Sequence, residues 1–146
     1  MNDVQEMETK TLEISRTYNA TLESVWNAWT NPVEISKWWI PEGFTEPSTP
    51  EIDLRVGGEF KYHLKPAEGE AFYARGTFQE IIQNKLIRST WQWSHKDQET
   101  LLTVKFAEVA DGTQLTLIHE LFMDDEQKNM HAEGWNKCLS RIEGLL

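Results

Sequence analysis

Apolar residues recur at two different spacings along the chain. From Asp124 onward, Met130, His131, Trp135, Cys138, Leu139, Ile142 and Leu146 fall on one helical face. Glu126, Lys128, Asn129, Glu133, Asn136, Lys137, Arg141 and Glu143 fill the other. Asp124 can cap that helix, and Gln127 stands three residues on, the spacing of a capping box. The pattern predicts an amphipathic helix of roughly 20 residues, about 30 Å long. Such a helix needs a broad apolar partner, and most of the chain before it alternates as antiparallel strands do.

Thr11 to Asn19 alternates, with Leu12, Ile14 and Arg16 on one side, followed by Tyr18. Thr21 then suits an N-cap, and Leu22, Val25, Trp26 and Trp29 mark a short helix with one buried face. Asn31, Pro32 and Glu34 start a second short helix that runs to about Trp38. Trp38 and Trp39 diverge by about 100° on a helix. One surface therefore cannot bury both, which places one of them near a loop at the mouth of any cavity. Pro41, Gly43, Pro47 and Pro50 break residues 41–50 into a loop.

Ile52, Leu54 and Val56 read as a strand that reverses at Gly57-Gly58 into Phe60, Tyr62 and Leu64. Phe72 to Ile82 is a long strand, turned at Gln83-Asn84 into Ile87, Ser89, Trp91 and Trp93. Leu102, Val104 and Phe106 face inward on the next strand. Asp111-Gly112 predicts a type I′ hairpin turn, followed by Leu115, Leu117, His119 and Leu121 on one face. The order is one strand, two short helices, about six hairpin-joined strands and a long helix, an α+β domain with a sheet covered on one face by a helix.

The 146 residues suit a single domain, with 1–10 as a flexible tail and 11–146 as the folded unit. A net charge of −10 opposes binding to nucleic acid or anionic lipid. Cys138 is the only cysteine, so no disulfide framework forms, which suits a cytoplasmic location. The first ten residues lack the apolar region of a signal peptide. No apolar run approaches the ~18 residues of a membrane span, so no membrane insertion is expected.

Six short stretches carry a resemblance over almost the whole chain, from Thr11 to Leu146. They are Val25-Trp26-Asn27-Ala28-Trp29-Thr30, Ile35-Ser36-Lys37-Trp38-Trp39 and Asp53-Leu54-Arg55-Val56-Gly57-Gly58-Glu59-Phe60. Gly76-Thr77-Phe78-Gln79-Glu80-Ile81, Thr113-Gln114-Leu115-Thr116-Leu117-Ile118-His119 and His131-Ala132-Glu133-Gly134-Trp135 complete the set. In this order they resemble the activator of heat-shock-protein-90 ATPase homologue family, within the START-like, helix-grip (SRPBCC) superfamily. The resemblance implies a helix-grip fold, a curved antiparallel sheet wrapped around the C-terminal helix with a cavity between them. It also implies a small apolar ligand such as superfamily members bind there. A chaperone or a second copy of the chain is the alternative partner, and a cyclase or ring-modifying activity the alternative function.

The candidate ligand-binding residues are the inward aromatics Phe60, Tyr62, Phe78, Trp91, Trp93 and Trp135, with Trp39, His119 and His131. Trp91, Trp93 and Trp135 would stack on a guest, and Tyr62 and His119 would hydrogen-bond it. These residues could equally form a filled core. Gly134 inside the helix and Gly76 inside a strand weaken their elements, so backbones pack closely there or leave room for a guest. An enzyme would need an acid and a base, and His119 with Glu80 or His131 is the pair to test. The four histidines show no zinc spacing, and Gly57-Gly58 lacks the lysine and helix of a phosphate loop. Neither a metal nor a cofactor is expected, and no catalytic residue is assigned. Cys138 reads as a small buried hydrophobe. The expectation is a domain that binds a small apolar molecule and has no chemistry of its own.

Overall fold

Each strand of the sheet pairs antiparallel with its neighbours. The computed structural model describes residues 9–39 and 50–146. The chain forms β1 (Lys10–Tyr18), α1 (Leu22–Thr30), α2 (Pro32–Trp38), β2 (Glu51–Ile52), β3 (Glu59–Leu64) and β4 (Phe72–Ile82). It continues with β5 (Leu86–Trp93), β6 (Glu99–Val109), β7 (Gly112–Phe122) and α3 (Asp125–Leu145). The strands lie in the order β1-β7-β6-β5-β4-β3-β2. Strands β2 to β7 are a hairpin meander, and β1 returns to pair with the last strand. This is the α+β helix-grip architecture that the residue patterns and the resemblance imply. No helix among the described residues is long and apolar enough to cross a membrane.

Caps decide where the helices begin. The Thr21 hydroxyl accepts the Ser24 N–H at 3.1 Å, and Asn31 Oδ1 accepts the Val33 N–H at 3.0 Å. Asp124 accepts the Gln127 N–H at 2.8 Å and opens the 21-residue α3. The buried face of α3 carries Trp135, Cys138, Leu139 and Ile142, which join one core cluster with the inward residues of the sheet. A polar tie crosses that interface: the Tyr18 hydroxyl donates to the Leu139 carbonyl at 2.8 Å. Burial pushes the Tyr18 phenol well above its ordinary pKa, which keeps it a donor.

Several expectations are corrected by the backbone. The strand expected over Ile52–Val56 ends at Ile52, and Leu54 and Val56 are exposed in a turn that Gly57 closes at φ +85°. Leu121 does not continue the inward face of β7. A bulge between the pairs Leu12↔His119 and Lys10↔Phe122 puts Leu121 at φ +74°, turned out to solvent, and buries Phe122 in its place. The turn between β6 and β7 is centred on Ala110 and Asp111, and only Gly112 takes a positive φ, so it is not a type I′ turn. A Cβ on Gly112 would also collide with the Tyr18 carbonyl. Met130 on α3 and Leu146 at its C-cap are exposed despite the place on the apolar face expected of both.

Trp38 and Trp39 are both buried, contrary to the helical-wheel expectation. The reason is that Trp39 leaves the helical path as the C-cap of α2, at φ −83° and ψ 72°. Trp38 stacks on Trp29 and donates its indole N–H to the Ala28 carbonyl at 2.7 Å. Trp39 turns the other way, toward the sheet. Of the tail expected over residues 1–10, residues 1–8 lie outside the described residues, as do residues 41–49 of the expected loop, while Lys10 already pairs with Phe122 as the first residue of β1.

The two awkward glycines have opposite causes. A Cβ at Gly76 would meet the Thr90 carbonyl and come within 2.6 Å of the Phe60 ring, whereas one at Gly134 would meet nothing within 4 Å. Gly76→Ala is therefore expected to lower the free energy of unfolding by about 2 kcal/mol or more through overpacking. Gly134→Ala should instead raise it by up to about 1 kcal/mol through helix propensity. Urea denaturation of the two variants checks the opposite signs.

Candidate functional site

Between α3 and the ends of β3, β4 and β5 lies a cleft of about 450 Å³, open to solvent on one side. Its apolar walls are Trp39, Leu64, Phe72, Trp91, Trp93 and Trp135. From α3, Gln127, Met130, His131, Gly134 and Cys138 face it at one-turn intervals, with Glu133 and Lys137 at the rim. His95 and Lys96, in the loop after β5, also line it.

Of the nine candidate residues, Trp39, Trp91, Trp93, His131 and Trp135 line this cleft, while Phe60, Tyr62, Phe78 and His119 do not. The latter four are its buried support. Tyr62 lies beneath Trp39, with ring centroids 5.2 Å apart, and burial raises its phenol pKa well above the ordinary value. Phe60 packs between Tyr62 and Phe78, at 4.9 and 5.4 Å, over the bare backbone of Gly76.

Tryptophan dominates the walls. Six of the seven tryptophans form one network of ring contacts. Trp39 is its hub, touching Trp38, Trp91, Trp93 and Trp135 at centroid distances of 5.7–6.5 Å. Trp26 stands apart, edge-on to Phe106. The indole N–H groups of Trp39 and Trp91 are buried with no hydrogen-bond partner among the described residues. An unmade buried donor costs about 1–3 kcal/mol.

The two histidines are held by the indoles. Trp135 Nε1–H donates to His119 Nδ1 at 3.1 Å, and an indole nitrogen can only donate. The His119 proton therefore sits on Nε2 and is donated to Thr100 Oγ1 at 2.7 Å, and the Thr100 hydroxyl donates on to the Trp91 carbonyl at 2.9 Å. The same logic runs in mirror sense at His131. Trp93 Nε1–H donates to its Nε2 at 2.9 Å, and Nδ1–H donates to the Gln127 carbonyl at 2.8 Å. The two imidazoles are 5.2 Å apart and edge-on.

Burial, and then the neighbouring His131, hold the His119 pKa well below its ordinary value. At His131, burial and the Lys96 ammonium lower the pKa against the opposing pull of the Gln127 carbonyl. All four ring nitrogens are engaged, so neither histidine offers a free lone pair to the cleft. Glu80 is exposed on β4, with β5 and β6 lying between it and His119 on β7, so of the two partners considered for acid–base chemistry with His119 only His131 comes near it. Among the described residues no three His, Cys, Asp or Glu side chains converge as metal ligands.

Sequence reasoning missed Leu64, Phe72, His95, Lys96 and, on α3, Gln127, Met130, Glu133, Lys137 and Cys138 as lining, while it flagged Gly134. The helical ones carried a readable signal, because Gln127, Met130, Gly134 and Cys138 recur at the spacing that includes His131 and Trp135. Phe72 and His95 did not. They come together at the strand ends, with ring centroids 4.8 Å apart, through pairing that no local pattern encodes.

The family described as Activator of Hsp90 ATPase homolog 1-like protein matches residues 19–146. Among curated proteins, no match is found. Protein CV1439 from Chromobacterium violaceum is similar at 26% identity and a TM-score of 0.81, covering 92% of this chain and 95% of its own. Protein NE0264 from Nitrosomonas europaea has 25% identity and a TM-score of 0.78, with 93% of each chain covered. The AHSA1 (SPO3351) protein from Silicibacter pomeroyi shares the fold at 22% identity and a TM-score of 0.78, covering 92% of this chain and 96% of its own.

The depressed histidine pKa values predict the pH dependence of stability. Both groups bind a proton less readily in the native state than in the unfolded chain, where they titrate near 6.5. Below that pH the unfolded state binds protons that the native state refuses, so stability is present above about pH 6.5 and is lost as the pH falls. His119 alone contributes a slope of up to about 1.4 kcal/mol per pH unit in that window. Urea denaturation between about pH 7.5 and pH 5.5 should show the loss, and His119→Gln should flatten it; an unchanged slope in that variant would refute the assignment.

Proposed function

We propose a ligand-binding function from the premise that the chain belongs to the Activator of Hsp90 ATPase homolog 1-like family: it takes a small apolar molecule into the cleft between the sheet and α3. The observation that carries this reading is the cleft itself, about 450 Å³ walled by Trp39, Trp91, Trp93 and Trp135. Ligand pockets of about 300–1,000 Å³ with mostly apolar walls are the usual form of small-molecule sites. Gly134 supports it further. A glycine within α3 weakens the helix by about 1 kcal/mol relative to alanine, yet no neighbouring atom forbids a side chain there. Its effect is to keep the cleft open. The engaged histidines favour binding without chemistry, since an acid–base mechanism would first have to break an indole–imidazole bond.

A panel of apolar aromatic molecules should quench tryptophan emission and raise the melting temperature. At a concentration a hundredfold above Kd the stabilisation would be about 2.7 kcal/mol. Gly134→Leu places a side chain in the open space and should abolish both effects while the far-ultraviolet circular dichroism stays unchanged. If no molecule in the panel acts at high micromolar concentration, the reading fails.

A further inference from the structure

The charge around the cleft runs against the charge of the chain. The whole sequence carries −10, yet among the described residues the cleft lining holds two ammonium groups, Lys96 and Lys137, against the single carboxylate of Glu133. Glu133 is itself tied to Lys137 at 3.5 Å. Lys96 is exposed and forms no ion pair among the described residues, although 24 carboxylates are present in the sequence. Asp97 follows it in the loop but does not line the cleft. The Lys96 ammonium stands near enough to His131 to disfavour a second positive charge on that ring.

Positive charge continues beyond the rim. A second depression, lined by Arg16, Arg141, Asn136 and Ser140, shares Glu133 and Lys137 with the cleft. Lys96, Lys137, Arg141 and Arg16 thus mark a cationic track from the loop after β5, across α3, to β1. Inside the cleft the walls are aromatic. Among the described residues no carboxylate lines it beyond the rim, and the histidine acceptors are already taken by Trp93 and Trp135.

We infer that the ligand is an amphipathic anion, with a planar apolar body among the tryptophans and an acidic group of carboxylate or sulfonate type at Lys96. This rests on the ligand-binding reading above and adds the sign of the ligand's charge. A cation at the mouth of a low-dielectric cleft attracts such a group and steers its approach, and the attraction is weakened by salt.

Two fluorescent probes with the same aromatic body separate charge from shape: anilinonaphthalenesulfonate is an anion, and phenylnaphthylamine is neutral. Each is titrated into the full chain, Lys96→Gln, Lys96→Glu and Gly134→Leu at low ionic strength. Lys96→Gln should raise the Kd of the anion about fivefold and Lys96→Glu more, while the neutral probe moves less than about twofold. About 0.5 M salt should shrink the difference. Gly134→Leu should displace both probes. Equal shifts for the two probes, no effect of either Lys96 variant, or anion binding that survives Gly134→Leu would overturn the inference and leave neutral binding intact. Failure of both probes to bind the unaltered chain would remove the ligand-binding reading as well.

Discussion

The helix and the sheet meet through side chains that are apolar in body and polar at the tip, and everything about the cleft depends on where those tips are tied. Tyr18 reaches from β1 to the backbone of α3 at Leu139, Trp135 reaches back from α3 to His119 on β7, and Trp93 reaches from β5 to His131 on α3. These bonds cross an otherwise greasy interface, where an unmade donor or acceptor is expensive. They fix both the rotation of the helix and its distance from the sheet. With large rings as spacers and Gly134 facing the gap, the helix cannot settle fully onto the strands at its N-terminal half.

The fold was legible because its signals are repeated. Alternation over β4 to β7 and the helical stripe from Trp135 to Ile142 are long enough for single errors not to matter. What was misread depends on one residue leaving the regular geometry. One extra residue near Leu121 reverses which side chain is buried, and a register pattern of period two cannot anticipate it. A single non-helical ψ at Trp39 carries that ring from a helical wheel into the centre of the aromatic network.

The site was half legible for the same reason. Inward parity finds the aromatic face of the sheet but not which part of it stays uncovered. Phe60 and Phe78 share the parity of residues that reach the cleft, yet they lie beneath other rings. The lining that was missed comes from strand ends and from the loop after β5, where Phe72, His95 and Lys96 assemble only once β3, β4 and β5 are in register. Tautomers are legible only in three dimensions, from which indole faces which nitrogen. That information turns two histidines from reactive groups into acceptors.

The return of β1 to the far edge of the meander has a consequence for how the chain acquires this form. Leu12 pairs with His119 and Tyr18 with Thr113, partners separated by about a hundred residues. The first strand made is thus a strand without a ladder until nearly all the rest has been synthesised. The pairing of β1 waits on β7, and until the two meet the outer edge of the meander stays open to stray pairing.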